Sequence, residues 1–78
     1  MKQHVRFIST YLDVSDYGVY VRRLGRDIRV HRDRLSGNLI CGSGEVTPEE
    51  REECVAATRA YLAQEHEKFL AWEAKQVA

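Results

Sequence analysis

The sequence contains little of what marks secreted, membrane or metal-binding proteins. Its two cysteines, Cys41 and Cys54, lack a CxxC spacing, which favours buried reduced thiols, with a disulfide between them as the less favoured alternative. No apolar run is long enough for a signal peptide or a membrane span, so we expect a cytoplasmic protein without a membrane partner. His4, His31 and His66 are too scattered for a metal site, and we expect no metal and no other cofactor.

A glycine-rich stretch, GNLICGSG at residues 37–44, lacks the features of a phosphate-binding loop. Two of its glycines have P-loop spacing, but serine and glycine stand where that motif requires lysine and Ser/Thr. A GxGxxG fingerprint is also absent, and Glu45, Glu49 and Glu50 would place carboxylates where a phosphate has to lie. No motif pairs a nucleophile with a base, so the sequence predicts a protein that is not an enzyme and has no catalytic residues.

The charges are unevenly distributed, although they sum to zero. Residues 1–34 contain eight Lys/Arg and four Asp/Glu, whereas residues 35–78 contain four Lys/Arg and eight Asp/Glu. A basic first half favours contact with nucleic acid or with an acidic protein, and an acidic second half would repel a phosphate backbone unless it faces away. A charged surface in contact with water alone is an equal alternative.

Four short runs rich in β-branched and aromatic residues predict an antiparallel sheet. The first two runs are expected to be separated by a turn at Ser15 and Asp16. The runs span residues 4–14, 17–24, 28–33 and 39–41. We therefore predict one α+β domain over residues 1–78, in which a three- or four-stranded antiparallel sheet (1–42) is followed by one long C-terminal helix (47–77) packed on one face.

The start of this helix is the most specific local signal in the sequence. Thr47 is predicted as its N-cap, Pro48 as its first residue, and Glu50 as the residue that completes a capping box. The chain has no proline or glycine after Pro48, so a helix of about thirty residues, roughly 45 Å long, is allowed. The predicted strands span only about 20 to 27 Å, so the helix must overhang the sheet, bend, fray or pack on another copy.

One side of the predicted helix carries an apolar stripe that suits a sheet. Glu65 interrupts the stripe, and it either pairs with an arginine of the sheet or marks the point where the helix leaves the core. In the second case Phe69, Leu70 and Trp72 would contact a partner or form a homodimer through the C-terminal helix. The stripe consists of Cys54, Val55, Thr58, Tyr61, Leu62, Phe69 and Trp72.

The second and third runs predict a β-hairpin with a two-residue turn at residues 25–26, because glycine adopts a positive φ there at little cost. This register would pair Arg22 with Arg29 and Tyr20 with His31 on an open face of the sheet. The like charges of the two arginines would favour an acidic partner across them. A face of tyrosine and arginine in contact with water is an equal alternative.

Several strings in the first two thirds of the chain have the order and spacing of strings in a known family. Phe7-Ile8-Ser9-Thr10 is similar to an aromatic-Leu-Ser-Thr string, and Gly18-Val19-Tyr20 is similar to an Ala-Val-Tyr string. The spacing to residues 28–30, to the turn at residues 36–37 and to the helix start at Thr47 is also similar. On these strings the chain resembles a small phage anti-CRISPR protein of the type I-F class.

The resemblance implies an antiparallel sheet with helices and a binding role. Proteins of that family sit on the protein backbone of the CRISPR surveillance complex and stop target DNA from hybridising. They bind through an aromatic residue of the first strand, a tyrosine of the second and an acidic residue just after the third, positions that correspond to Phe7, Tyr20 and His31. Histidine in the third position departs from the family pattern and allows a different target.

Two classes of function follow from the sequence. The first is a phage-encoded, anti-CRISPR-like inhibitor that docks on a host protein or ribonucleoprotein complex through Phe7, Tyr20, Arg22, Arg29 and His31. The alternative is a nucleic-acid-binding module, similar to a recombinase arm domain or a transcriptional regulator, that uses Arg22, Arg23, Arg26, Arg29, Arg32 and Arg34. The balanced net charge and the acidic helix favour the first class.

Overall fold

A four-stranded antiparallel sheet and one long helix make up the computed structural model, which describes residues 4–77; residues 1–3 and 78 of the predicted domain lie outside this range. The strands follow one another across the sheet in the order β1-β2-β3-β4. The elements are β1 (Val5–Tyr11), β2 (Val14–Val21), β3 (Arg26–Asp33), β4 (Leu39–Ile40) and α1 (Pro48–Val77). This arrangement confirms the predicted α+β fold with a long C-terminal helix.

The first turn lies three residues earlier than predicted. β1 and β2 are joined by Leu12 and Asp13 instead of Ser15 and Asp16, and Leu12 has a positive φ of 54°. Ser15 belongs to β2, where its hydroxyl lies 3.0 Å from the hydroxyl of Thr10 on β1. Cross-strand contacts of this kind outweigh the intrinsic turn preference of serine and aspartate.

The turn between β2 and β3 is longer than predicted. Val21 pairs with Arg26, so four residues, 22–25, form the connection instead of two. The amide of Gly25 donates to the carbonyl of Val21 at 2.9 Å, and Gly25 has a φ of 67°. Leu24 packs from this turn against the core, and its burial favours the longer connection.

The longer turn changes every cross-strand pair between β2 and β3. The predicted pairing of Arg22 with Arg29 and of Tyr20 with His31 is therefore wrong. Tyr20 pairs with Asp27, and Arg29 lies opposite a glycine. Each partner is shifted by four residues, an even number, so the side chains of both strands keep their predicted faces.

The helix covers one face of the sheet and forms the core with it. Thr58 is fully buried, and its hydroxyl donates to the carbonyl of Cys54 at 2.9 Å, so this polar group is satisfied inside the helix. The loop before the helix contributes two buried residues that close one side of the core. The core consists of Val19, Val21, Ile28, Val30, Cys41, Val46 and Cys54.

The helix begins at the predicted capping box, and an arginine of the β2–β3 turn binds the carboxylate of that box. The amide of Thr47 donates to the Glu50 carboxylate at 2.9 Å, and the Thr47 hydroxyl accepts from the Glu50 amide at 3.1 Å. The guanidinium of Arg23 donates to both carboxylate oxygens of Glu50, at 2.7 and 2.8 Å. This Arg23–Glu50 clasp fixes the start of the helix to the β2–β3 turn.

Only the first half of the helix packs on the sheet. Tyr61 and Leu62 are half-buried, and every residue from 63 to 76 is exposed. The Glu65 carboxylate accepts a hydrogen bond from Lys68 at 3.3 Å on the same helix, which argues against the first alternative, a pairing with a sheet arginine. Glu65 lies where the helix leaves the core, which is the second alternative that the sequence left open.

Substitution of Gly25 tests the turn that sets the register. Gly25→Ala should destabilise the protein by about 1 to 2 kcal/mol, because a Cβ is disfavoured at positive φ although it would meet no neighbouring atom. Gly44→Ala is the control, since an added Cβ there also meets no atom. Urea denaturation of both variants measures the difference, and equal stability of the two would contradict the strained turn.

The pH dependence of unfolding tests the Arg23–Glu50 clasp. Hydrogen bonds from Arg23 and then from Thr47 lower the pKa of Glu50 from 4.5 to about 2. Since the folded pKa is the lower one, the stabilisation is complete above about pH 4.5 and is lost as the pH falls towards 2. Glu50→Gln should therefore lower the melting temperature at neutral pH, and this difference should shrink between pH 4.5 and pH 2.

Glu49→Gln is the matched control for this measurement, because Glu49 is an exposed carboxylate in the same first turn of the helix. Thermal melts of the three proteins across this pH range provide the comparison. A difference between Glu50→Gln and the unchanged protein that stays constant down to pH 2 would contradict the assignment to the clasp.

Candidate binding surface on the open sheet face

The face of the sheet opposite the helix is not covered by any described residue. Side chains alternate along each strand, so the residues on this face are set by the observed register. We call this surface the open face. Its residues are Arg6, Ile8, Ser9, Tyr11, Val14, Asp16, Gly18, Tyr20, Asp27, Arg29, His31, Asp33 and Ile40.

An ion pair crosses the open face above Gly18. Arg6 on β1 donates to the carboxylate of Asp27 on β3 at 2.7 Å, although the two strands are not neighbours. A Cβ on Gly18 would lie 3.1 Å from this carboxylate and 3.3 Å from the side chain of Ile8. Glycine in β2 therefore leaves the space in which β1 and β3 side chains approach each other.

Asp16 is the centre of a second charged group on the open face. Its carboxylate lies 2.5 Å from Nδ1 of His31, the residue directly opposite on β3, and 4.0 Å from the guanidinium of Arg29. Asp16 thus supplies the acidic group that the sequence assigned to an external partner. The arrangement places both positive and negative side chains at the middle of the sheet.

Exposed apolar side chains surround these charged groups. Tyr20 is 40% exposed, and Ile40 on β4 is 58% exposed. Tyr11 and Val14 lie at the other end of the same face and are also exposed. Aromatic residues and arginine are enriched at protein-binding surfaces, and the open face carries Tyr11, Tyr20 and Arg29.

A groove of about 410 Å³ borders the open face along β3. β4 pairs only with His31 and Arg32, so the described sheet leaves the remaining edge of β3 without a neighbouring strand. Arg29 and His31 line the groove from the sheet, and Ser43 lines it from the loop before the helix. A partner on the open face can therefore also reach the backbone edge of β3.

The five predicted partner-binding residues do not lie on one surface. Tyr20, Arg29 and His31 share the open face. Phe7 lies on the helix side, because it pairs with Tyr17 and their rings meet edge to face at 5.8 Å. Arg22 lies in the β2–β3 turn. The bulge between Phe7 and Ser9 reverses the alternation of β1, and no feature of the sequence predicted it.

The six predicted nucleic-acid-binding arginines are also dispersed. Arg23 is held by Glu50, and Arg26 is held by the carboxylate of Glu45. Arg32 lies on the helix side of β3, opposite Ser15. Arg22 lies in the β2–β3 turn, Arg34 lies in the turn after β3, and Arg29 lies on the open face. The six arginines therefore do not form one continuous basic surface.

Sequence reasoning missed several residues of the open face, among them Arg6, Asp16, Asp27 and Ile40. The misplaced turns explain the omission, since Asp16 was assigned to a turn and the predicted register did not place Asp27 beside Tyr20. Alternation along β3 from His31 is the signal that would have found Asp27.

The described residues contain no group of three or more histidine, cysteine or acidic side chains that could hold a metal ion. Within the same range, no helix combines the length and apolarity needed to cross a bilayer. In comparisons with protein-family models, curated proteins and solved structures, nothing matched this chain.

Thiol labelling tests the placement of the two cysteines, which are free and buried as predicted. Burial, and to a lesser extent the neighbouring Cys41, raises the pKa of Cys54 to about 11. At pH 8 only about one Cys54 thiol in a thousand is therefore a thiolate. In a Cys41→Ala variant, a thiol reagent should label native Cys54 far more slowly than the unfolded chain. Equal labelling rates in buffer and in denaturant would contradict the burial of Cys54.

Proposed function

We propose that this chain is a small non-catalytic protein-binding module that docks on its partner through the open face. The observation that carries the proposal is a broad sheet face that no described residue covers, in which exposed Tyr20 lies opposite Asp27 of the Arg6–Asp27 ion pair and exposed Ile40 lies opposite His31. Paired charges lose less on desolvation than isolated ones, and they fix the orientation of a partner.

The distribution of arginines favours a protein partner over nucleic acid. Binding to phosphate requires cations that are free to replace counterions, and a cluster of them on one surface. Arg23 and Arg26 are already engaged by Glu50 and Glu45, and Arg29 lies beside Asp16. The nucleic-acid-binding alternative therefore has less support than the protein-binding function.

The inhibitor role comes from the resemblance to the type I-F anti-CRISPR family. Two of the three corresponding positions, Tyr20 and His31, lie on the open face, whereas Phe7 lies on the other side. We accordingly propose a host protein or ribonucleoprotein complex as the partner, with a CRISPR surveillance complex as the first candidate. The protein would then act in the cytoplasm of the host cell, as a phage-encoded product.

Gel filtration with light scattering tests this function directly. The purified chain is mixed with a type I-F surveillance complex or with random duplex DNA, each at low and moderate salt. Co-elution with the complex at both salt concentrations is expected. Tyr20→Ala should weaken this binding by at least about 30-fold, because an exposed aromatic residue beside paired charges has the character of an interface hot spot.

Phe7→Ala is the matched control, because Phe7 is an aromatic residue of similar exposure on the opposite face of the sheet. Binding should survive this substitution. Loss of binding in Phe7→Ala but not in Tyr20→Ala would move the site to the helix side. Binding to DNA alone, and only at low salt, would overturn the proposal in favour of the nucleic-acid alternative.

A further inference from the structure

The second half of the helix projects beyond the end of the sheet. Tyr61 and Leu62 are the last half-buried residues of the helix before the exposed run of residues 63–76, and the ring of Tyr61 meets that of Tyr17 at 5.9 Å. From Tyr61 to Val77 the helix extends for about 24 Å, whereas β2 extends only about 10 Å from Tyr17 back to its first residue, Val14. The residues after Leu62 therefore form an overhang, and none of the described strands lies beneath its far end.

The overhang carries apolar residues on the side that faces the core elsewhere in the helix. Phe69 and Trp72 continue, at helical spacing, the stripe of Cys54 and Thr58. Their rings lie 6.1 Å apart, and they are 52% and 57% exposed. Phe69 and Trp72 thus lie on the side of the helix that is buried in its first half, but no described strand packs against them.

The end of the sheet next to the overhang presents two exposed leucines. The β1–β2 turn presents Leu12, which is 74% exposed, and the turn after β3 presents Leu35, which is 82% exposed. The two turns are joined by a hydrogen bond from the amide of Arg34 to the carbonyl of Asp13 at 2.8 Å. The overhang and these two turns together border a recess, which we call the notch.

We propose that a second copy of this chain fills the notch. The two overhangs pack antiparallel around a two-fold axis, and the end of each helix covers Leu12 and Leu35 of its partner's sheet. Such an isologous contact satisfies both apolar surfaces at once, because each copy supplies the layer that the other lacks. It also adds to the core of a chain of 78 residues, a size at which a single core is marginal.

The area involved is sufficient for a stable dimer. The exposed parts of Leu12, Leu35, Phe69 and Trp72 amount to on the order of 100 Å² each, or about 800 Å² of apolar surface in two copies. Homodimer interfaces are about 65% apolar, so this corresponds to a total of about 1,200 Å². A standard interface buries about 1,200 to 2,000 Å².

The charges of the overhang favour self-association over an oppositely charged partner. Residues 63–76 contain Glu65, Glu67 and Glu73 together with Lys68 and Lys75, so charges of both signs are interspersed. A surface of one sign would repel its own copy, whereas a mixed surface does not.

The mass of the protein in solution tests the dimer. Light scattering from low to high micromolar concentration should approach the mass of two 9.0 kDa chains, which is 18 kDa. Trp72 is the only tryptophan, so its fluorescence should shift to longer wavelength as dilution separates the copies. A mass of one chain over the whole range, with no spectral change, would overturn the proposal.

Charge substitutions locate the interface. Phe69→Glu combined with Trp72→Glu should give a folded monomer. The charge-matched control, Ala63→Glu combined with Ala74→Glu, alters the opposite side of the overhang and should remain a dimer. Circular dichroism of each variant is the check that it folds. A dimer in the first variant, or a monomer in the control, excludes the Phe69 and Trp72 surface.

Leu12→Glu tests the contact with the sheet end, because two helices that pair without the sheet would not respond to it. At least a tenfold weaker dimer is expected, and an unchanged dimer would exclude the sheet end. Tyr20→Ala should leave the dimer intact, since Tyr20 lies on the open face. The dimer and the protein-binding function can therefore fail independently of each other.

Discussion

The structure depends on the burial of one face of the sheet beneath the first half of the helix. Val19, Ile28 and Val30 are buried, and they belong to one core cluster with Cys54 of the helix. The strands alone would leave these side chains exposed, and a small sheet without a covering layer is marginal in water. The two surfaces that the described residues leave uncovered follow from the position of this contact.

A single helix can cover only one face of the sheet, and α1 covers it with about half of its length. Within residues 4–77, the opposite face is left open, and the second half of the helix has no layer beneath it. The Arg23–Glu50 clasp determines which half of the helix packs on the sheet, because it fixes the first turn of the helix to the β2–β3 turn. The same constraint thus produces both the open face and the overhang.

Local chemistry predicted the helix start and the faces of β2 and β3, but it did not predict the turns. The Thr47 capping box and the glycine-free run after it depend on neighbouring residues alone. The position of Gly25 was interpreted as a two-residue turn, whereas burial of Leu24 against the core selects a longer one. The assignment of side chains to the two faces of the sheet is still correct, because the register is shifted by an even number of residues.

By itself, the sequence determined the fold class, the start of the helix, the buried thiols and the absence of a phosphate-binding motif, since each depends on composition or on residues close in the chain. The tertiary structure decided which side chains share a surface. A bulge in β1 turned Phe7 to the helix side, and Asp16 met His31 and Arg29 across strands. Such contacts join residues distant in the chain, and they are set by packing that no local pattern encodes.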